Sequence, residues 1–187
     1  MASTGNVFPG TGESVDRAGL TAWTNPGNIV SDNTTDATCN GAESDYLVAR
    51  NFDFSVIPVG ASIVGVTVLV EASEHSGGTE ALHAQLQDDS AGLVGGEKSA
   101  ANEGNISGTG KSVYTYGGVA DTWGATLALS IVQHVNFGVR LWYLTNHIVN
   151  IDYVTMAVEY ATSGRPPVRM TVSRSIAPRA LRQRRRP

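Results

Sequence analysis

The run Ile63–Val70 reads Ile-Val-Gly-Val-Thr-Val-Leu-Val, eight residues without a charge. β-Branched side chains are stiff at χ1 and fit a pleated strand better than a helix. Strand alternation puts Val64, Val66, Val68 and Val70 on one face and Ile63, Gly65, Thr67 and Leu69 on the other. Both faces are largely apolar, so the run predicts a central strand of a packed sheet.

The same period of two recurs. Leu82, Ala84 and Leu86 alternate with His83, Gln85 and Gln87, and Val113–Tyr116 is a further strand signal. Phe137, Val139, Leu141 and Tyr143 alternate with Gly138, Arg140, Trp142 and Leu144. Asp152, Val154, Met156, Val158 and Tyr160 form the closing run, and the last two runs predict an antiparallel pair turned at Asn146-His147. Residues 1–45 read as loops with one or two short strands, anchored by Trp23 and Ile29-Val30. Residues 91–112 read as a long loop with at most one weak strand, and Thr126–Ile131 suits either a short helix or a strand. No window of 12 or more residues carries a capped 3.6-residue period. The pattern predicts an all-β fold, a jelly-roll-like antiparallel β-sandwich with an extended C-terminal arm. The expected organisation is an N-terminal loop segment (1–22), a sandwich domain (23–163) and an Arg/Pro-rich interaction arm (164–187).

The net charge of −4 conceals a partition. Residues 1–163 hold all 17 acids against five bases (Arg17, Arg50, Lys98, Lys111 and Arg140), hence −12. Residues 164–187 hold no acid and eight arginines: Arg165, Arg169, Arg174, Arg179, Arg182, Arg184, Arg185 and Arg186. Such asymmetry marks an interaction arm. Guanidinium forks pair bidentately with carboxylates, so an acidic neighbour, including another copy of the chain, is the expected partner. Nucleic acid is the alternative, through phosphates alone, because no aromatic residue interleaves the arginines. Trp142, beside Arg140 on the face opposite Val139 and Leu141, joins the eight arginines as a candidate partner-binding residue.

Other chemistry finds little purchase. Gly108-Thr109-Gly110-Lys111-Ser112 ends like a phosphate-binding loop, but Asn105 stands where that pattern needs glycine, and a strand rather than a helix follows. His75, His83, His134 and His147 have no metal-site spacing, Cys39 has no partner cysteine, and Asp32, Asn33 and Asp36 read as a polar turn. No Gly-x-Ser-x-Gly elbow occurs. The expectation is no catalytic residue, no cofactor and no metal. Trp23, Trp123 and Trp142 read first as core or contact residues and second as sugar-stacking rings. The uncharged runs Phe54–Val70 and Thr122–Val139 are interrupted by Pro58, Gly60 and Gly65, and by Gln133, His134 and Asn136, so neither reads as a membrane helix. The first residues show no signal-peptide pattern.

Several stretches carry a resemblance. They are Ala22-Trp23-Thr24-Asn25-Pro26-Gly27-Asn28-Ile29, Phe52–Val66, Tyr116-Gly117-Gly118 with Asp121-Thr122-Trp123-Gly124, Asn136-Phe137-Gly138-Val139 and Val149–Val154. In order and spacing the body resembles small virion proteins of tailed bacteriophages. The resemblance implies a β-sandwich, often trimeric, on the head surface or in a tail appendage, made in the host cytoplasm and located in the virion. It implies the major capsid protein and neighbouring copies as partners, and a capsid decoration or cement role. The alternative it leaves is a tail or fibre module that binds host glycans. The arginine-rich tail lies outside the matching stretches.

Overall fold

The computed structural model of the chain describes residues 1–99 and 105–162. The expected arm and its eight arginines lie outside the described residues. The strands are β1 (Ala2–Ser3), β2 (Pro9–Val15), β3 (Ala37–Gly41), β4 (Tyr46–Phe52), β5 (Ala61–Glu74), β6 (Thr79–Glu80) and β7 (His83–Gln87). They continue with β8 (Leu93–Ser99), β9 (Ile106–Ser107), β10 (Ser112–Gly118), β11 (Gly138–Trp142) and β12 (His147–Thr162). A 3-10 turn at Pro26–Val30 and a one-turn helix α1 (Leu129–Val132) complete the elements.

Two five-stranded sheets face each other. Sheet I has the order β1-β12-β5-β10, with β3 also paired to β12, and sheet II has the order β2-β4-β11-β7-β8. β6 and β9 form a separate two-stranded ribbon. All strand pairs are antiparallel. The chain passes from sheet to sheet along β3–β4–β5–β7 and again along β10–β11–β12, which is the all-β sandwich expected.

β5 lies between β12 and β10, and its Val66, Val68 and Val70 are fully buried. They meet Leu86, Val139 and Leu141 of sheet II in one core. The β-branched run thus became a central strand because both of its edges found partners. Trp123 joins the sheets: its indole N–H donates to the Val66 carbonyl oxygen of β5 at 2.9 Å, and its own carbonyl accepts the Gly96 amide of β8 at 2.5 Å.

Three expectations are corrected. The runs at 137–144 and 151–160 do not pair with each other: β11 lies in sheet II between β4 and β7, whereas β12 lies in sheet I. Tyr143, fully buried, carries the connection across the core, and its hydroxyl donates to the His147 carbonyl oxygen at 3.2 Å. The segment 1–22 is more than a loop ahead of the sandwich. β1 and Val7 run along β12, and β2 then switches to the edge of sheet II beside β4. Residues 91–112 hold β8, β9 and the first residue of β10, where at most one weak strand was expected. The ambiguous stretch at 126–131 resolves as the start of α1.

Candidate functional site

The outward face of sheet II carries the one predicted site residue that is described. Alternation turns Val139 and Leu141 to the core and Arg140 and Trp142 outward. Register places His83 of β7 beside Trp142 and Val48 of β4 beside Arg140. The His83 ring stacks on Trp142 at 5.4 Å and 14°, while Tyr46 meets the same indole edge-on at 5.4 Å and 87°. Trp142 is therefore covered by two rings and is 6% exposed. The guanidinium of Arg140 lies 5.0 Å over Tyr46 and donates to the Gln87 side-chain oxygen at 2.9 Å. Arg17 approaches the same ring at 5.8 Å and pairs with Glu43 at 3.1 Å. His83 meets Glu97 at 2.5 Å, and Arg50 meets Glu13 at 2.6 Å. Tyr46, His83 and Arg17 were not legible as site residues, because only the register assembles them around Trp142. Trp23 and Trp123 belong to the core, at 4% and 2% exposure.

A second cluster lies where β5 ends. Glu74 and Glu80 are buried, and His147 spans them, Nδ1 to Glu74 at 3.0 Å and Nε2 to Glu80 at 3.3 Å. Ser76 Oγ bonds Glu74 and lies 3.1 Å from His147 Nδ1, and Thr145 bonds Glu80. The parts look like a nucleophile, a base and an acid. However, the Ser76 hydroxyl donates to the Glu74 carboxylate, so the proton a base would take is not aimed at the imidazole. Glu74 accepts the amides of Ser76 and Gly78 at 2.5 and 2.8 Å. Burial opposes its ionisation, but the Ser76 and His147 side chains and those amides outweigh it and bring the carboxyl down to about 2. The arrangement fastens the 74–80 turn to β12.

The third cluster lies on the outward face of sheet I. Asp152 is the extra residue of a bulge in β12, where pairing with β5 skips from Ile151 to Tyr153. One carboxylate oxygen each of Asp32, Glu71 and Asp152 lies within 4.8 Å of the others. The Lys111 ammonium sits 2.8 Å from Asp152 and 2.8 Å from Asp36. The lysine of the glycine loop at 108–112 is thus an internal counterion. Burial, then the hydrogen bond and charge of Asp152, push the Glu71 carboxyl up, against the pull of Lys111. This is the one described group of acids whose geometry suits a cation, and Lys111 already supplies one.

At the end of the sandwich where β4 finishes lies a cleft of about 760 Å³, lined by residues that include Asn51, Asp53, Phe54, Pro58 and Gln133. Gln133 donates to the carbonyl oxygens of Phe54 and Ile57 at 3.1 Å each, fixing the loop. Asp53 is the only carboxylate in the lining, and it accepts the Ser55 amide at 3.0 Å. Paired-carboxylate hydrolysis needs a second acid there.

No protein-family model matches the sequence, and no curated protein matches it. Among solved structures, the CBM22-1–GH10 modules of the Clostridium thermocellum endo-1,4-beta-D-xylanase 10B, complexed with xylohexaose, align with a TM-score of 0.40 and 14% identity. That alignment covers 79% of this chain and 24% of the xylanase chain, so the chain spans about a quarter of that structure. A family 30 carbohydrate-binding module aligns with a TM-score of 0.36 and 8% identity over 87% of this chain and 88% of the module. The family 30 module of a cellulosomal cellulase of Clostridium thermocellum aligns at 0.34 and 7%, over 87% and 94%.

Proposed function

We propose that the chain is a structural subunit of a tailed-phage particle, a capsid decoration or cement protein and not an enzyme. It holds the major capsid protein and neighbouring copies of itself, as a trimer, through its sandwich surface and its basic arm. The observation that carries this reading is the charge partition, −12 over residues 1–163 and +8 over residues 164–187. Opposite charge on two parts of one chain draws copies together without a shared apolar core, and salt screens it. The sequence resemblance supports the particle location. The sandwich supports the role: in sequence the arm follows directly from β12, the longest strand of sheet I.

The test replaces all eight arginines of 164–187 by glutamine in the full chain and counts copies retained on purified particles. Occupancy should fall several-fold and what remains should wash off with salt. Unchanged occupancy would remove the arm from the reading, and loss of DNA binding by the same variant would favour the nucleic-acid alternative.

A second reading, a tail or fibre module for host glycans, draws on the Tyr46–Trp142–His83 patch with its amide and guanidinium neighbours. Trp23 and Trp123 lie in the core, so a glycan array on Tyr46→Ala and His83→Ala is the discriminating measurement. Glycan binding lost in either variant would favour adhesion.

A further inference from the structure

A sheet edge presents unpaired backbone donors and acceptors and invites another strand. Most edges of this sandwich are closed. β2 begins at Pro9, which has no N–H, and the Pro26 carbonyl of the 3-10 turn crowds its Gly12. β3 is paired by Thr24, which exchanges backbone bonds with Thr38 at 2.8 and 3.0 Å. β8 is met by the Trp123 carbonyl at Gly96, and Lys98 is tied to Asp121 at 2.6 Å. β1 has two residues.

β10 is different. It pairs with β5 on one side, Ser112 to Ala72 through Gly118 to Val66. Among the described residues, nothing bonds the backbone of Ser112–Thr115 on the other side. The strand carries no charge and no proline, and Val113 is 49% exposed. None of the usual edge defences is present there.

The sequence beyond Thr162 contains one segment patterned to fill that edge. In Val168-Arg169-Met170-Thr171-Val172-Ser173-Arg174, apolar Val168, Met170 and Val172 alternate with Arg169, Thr171 and Ser173. Its seven residues match the seven of β10, and Pro167 and Pro178 bracket the region. Laid beside β10, the apolar residues would extend the inner face next to half-buried Tyr114, which packs against the core. Arg169 would then fall on the outer face. There Glu71 sits opposite Val113, Asp36 and Asp152 share Lys111, and Asp32 lies beside Glu71 and Asp152.

We infer that the open edge of β10 receives residues 168–174 of a neighbouring copy as an added strand. This rests on the proposal that the arm joins copies, and it names the surface the arm joins. The donor is a neighbour because of direction and reach. β10 and β12 both run antiparallel to β5, so a chain leaving β12 would have to reverse to pair antiparallel with its own β10. It would also have to start three strand spacings across and five residues along the sheet, because Thr162 pairs with Ala61 and Gly118 with Val66; that is roughly 22 Å, more than the ~19 Å that the steps from Thr162 to Val168 span at about 3.1 Å each, with the stiff pair Pro166-Pro167 among them.

Hydrogen exchange on the full chain, followed over a concentration series, tests this against the Met170→Pro/Val172→Pro double variant. The expected result is protection of the Ser112–Thr115 amides that rises with concentration and falls at least tenfold in the variant. A second measurement mixes Thr115→Cys protein with Thr171→Cys protein and looks for the mixed disulfide, with Cys39 buried and out of reach. Exchange at 112–115 that is the same in the variant overturns the inference, as does protection independent of concentration with no mixed disulfide. Particle occupancy of the double variant is read separately: lost protection with full occupancy leaves the edge pairing standing and overturns the shell-binding role.

Discussion

The two outward faces of this sandwich solve their electrostatics differently. On sheet II most charges find a local partner: Arg17 with Glu43, Arg50 with Glu13, His83 with Glu97, and Arg140 with Gln87 and the Tyr46 ring. On sheet I the Lys111 ammonium pairs with Asp36 and Asp152, and the carboxylates of Asp32 and Glu71 crowd Asp152 with no cation of their own among the described residues. The −12 of the body is therefore unevenly spread. Sheet II is closed in both charge and aromatic stacking, whereas sheet I is short of positive charge and, among the described residues, has the edge without a backbone partner. A face left this way suits an incoming guanidinium, which a finished one does not.

Four substitutions break or sharpen that contrast. Trp123→Ala should have the largest effect, about 4 kcal/mol by the usual cost of a large-to-small core change. The residue bonds both sheets, so denaturant melts should show both faces failing together. Glu74→Gln should cost about 3 kcal/mol, the range for breaking a buried ion pair. It should also change the pH profile. The folded carboxyl lies near 2 against an ordinary 4.5, so its contribution is complete above 4.5 and fades as pH falls from there towards 2. Thermal melts across that window should steepen in the parent protein relative to the variant.

Lys111→Met should cost about 2 kcal/mol, less than a fully buried pair because the lysine is partly exposed, leaving buried Asp152 without its counterion. Burial and Asp152 already raise Glu71, so the loss should shrink as pH drops through the carboxylate range. Arg140→Ala should cost about 1 kcal/mol, since its partners, the buried Gln87 amide and the half-buried Tyr46 ring, are neutral. If Arg140→Ala proves costlier than Lys111→Met in urea melts, the contrast between the faces fails.

Much of the fold was legible because strand alternation is local. Val66, Val68 and Val70 announced a buried face from their spacing alone, and the Pro26-Gly27 turn, the Gly77-Gly78 turn and the closing run at 151–160 were equally plain. Pairing was not legible. Adjacency in sequence suggested that β11 and β12 lie side by side, but Tyr143 crosses the core and sends them to opposite sheets. Pro9–Val15 was hidden because three of its seven residues are proline or glycine, and the partner β4 supplies what its propensity lacks. Of the candidate site, Arg140 and Trp142 were placed on one face by parity, whereas Tyr46 and His83 are contributed by strands far away in sequence.

By itself the sequence determined the class of fold, the position of its central strand and the division into an acidic body and a basic tail. Period and charge are properties of the chain read in order. Tertiary structure alone decided which carboxylates share Lys111, why Trp142 is covered by two other rings, and which edge lacks a backbone partner among the described residues. Those follow from register and sheet order, which depend on contacts between residues distant in the chain.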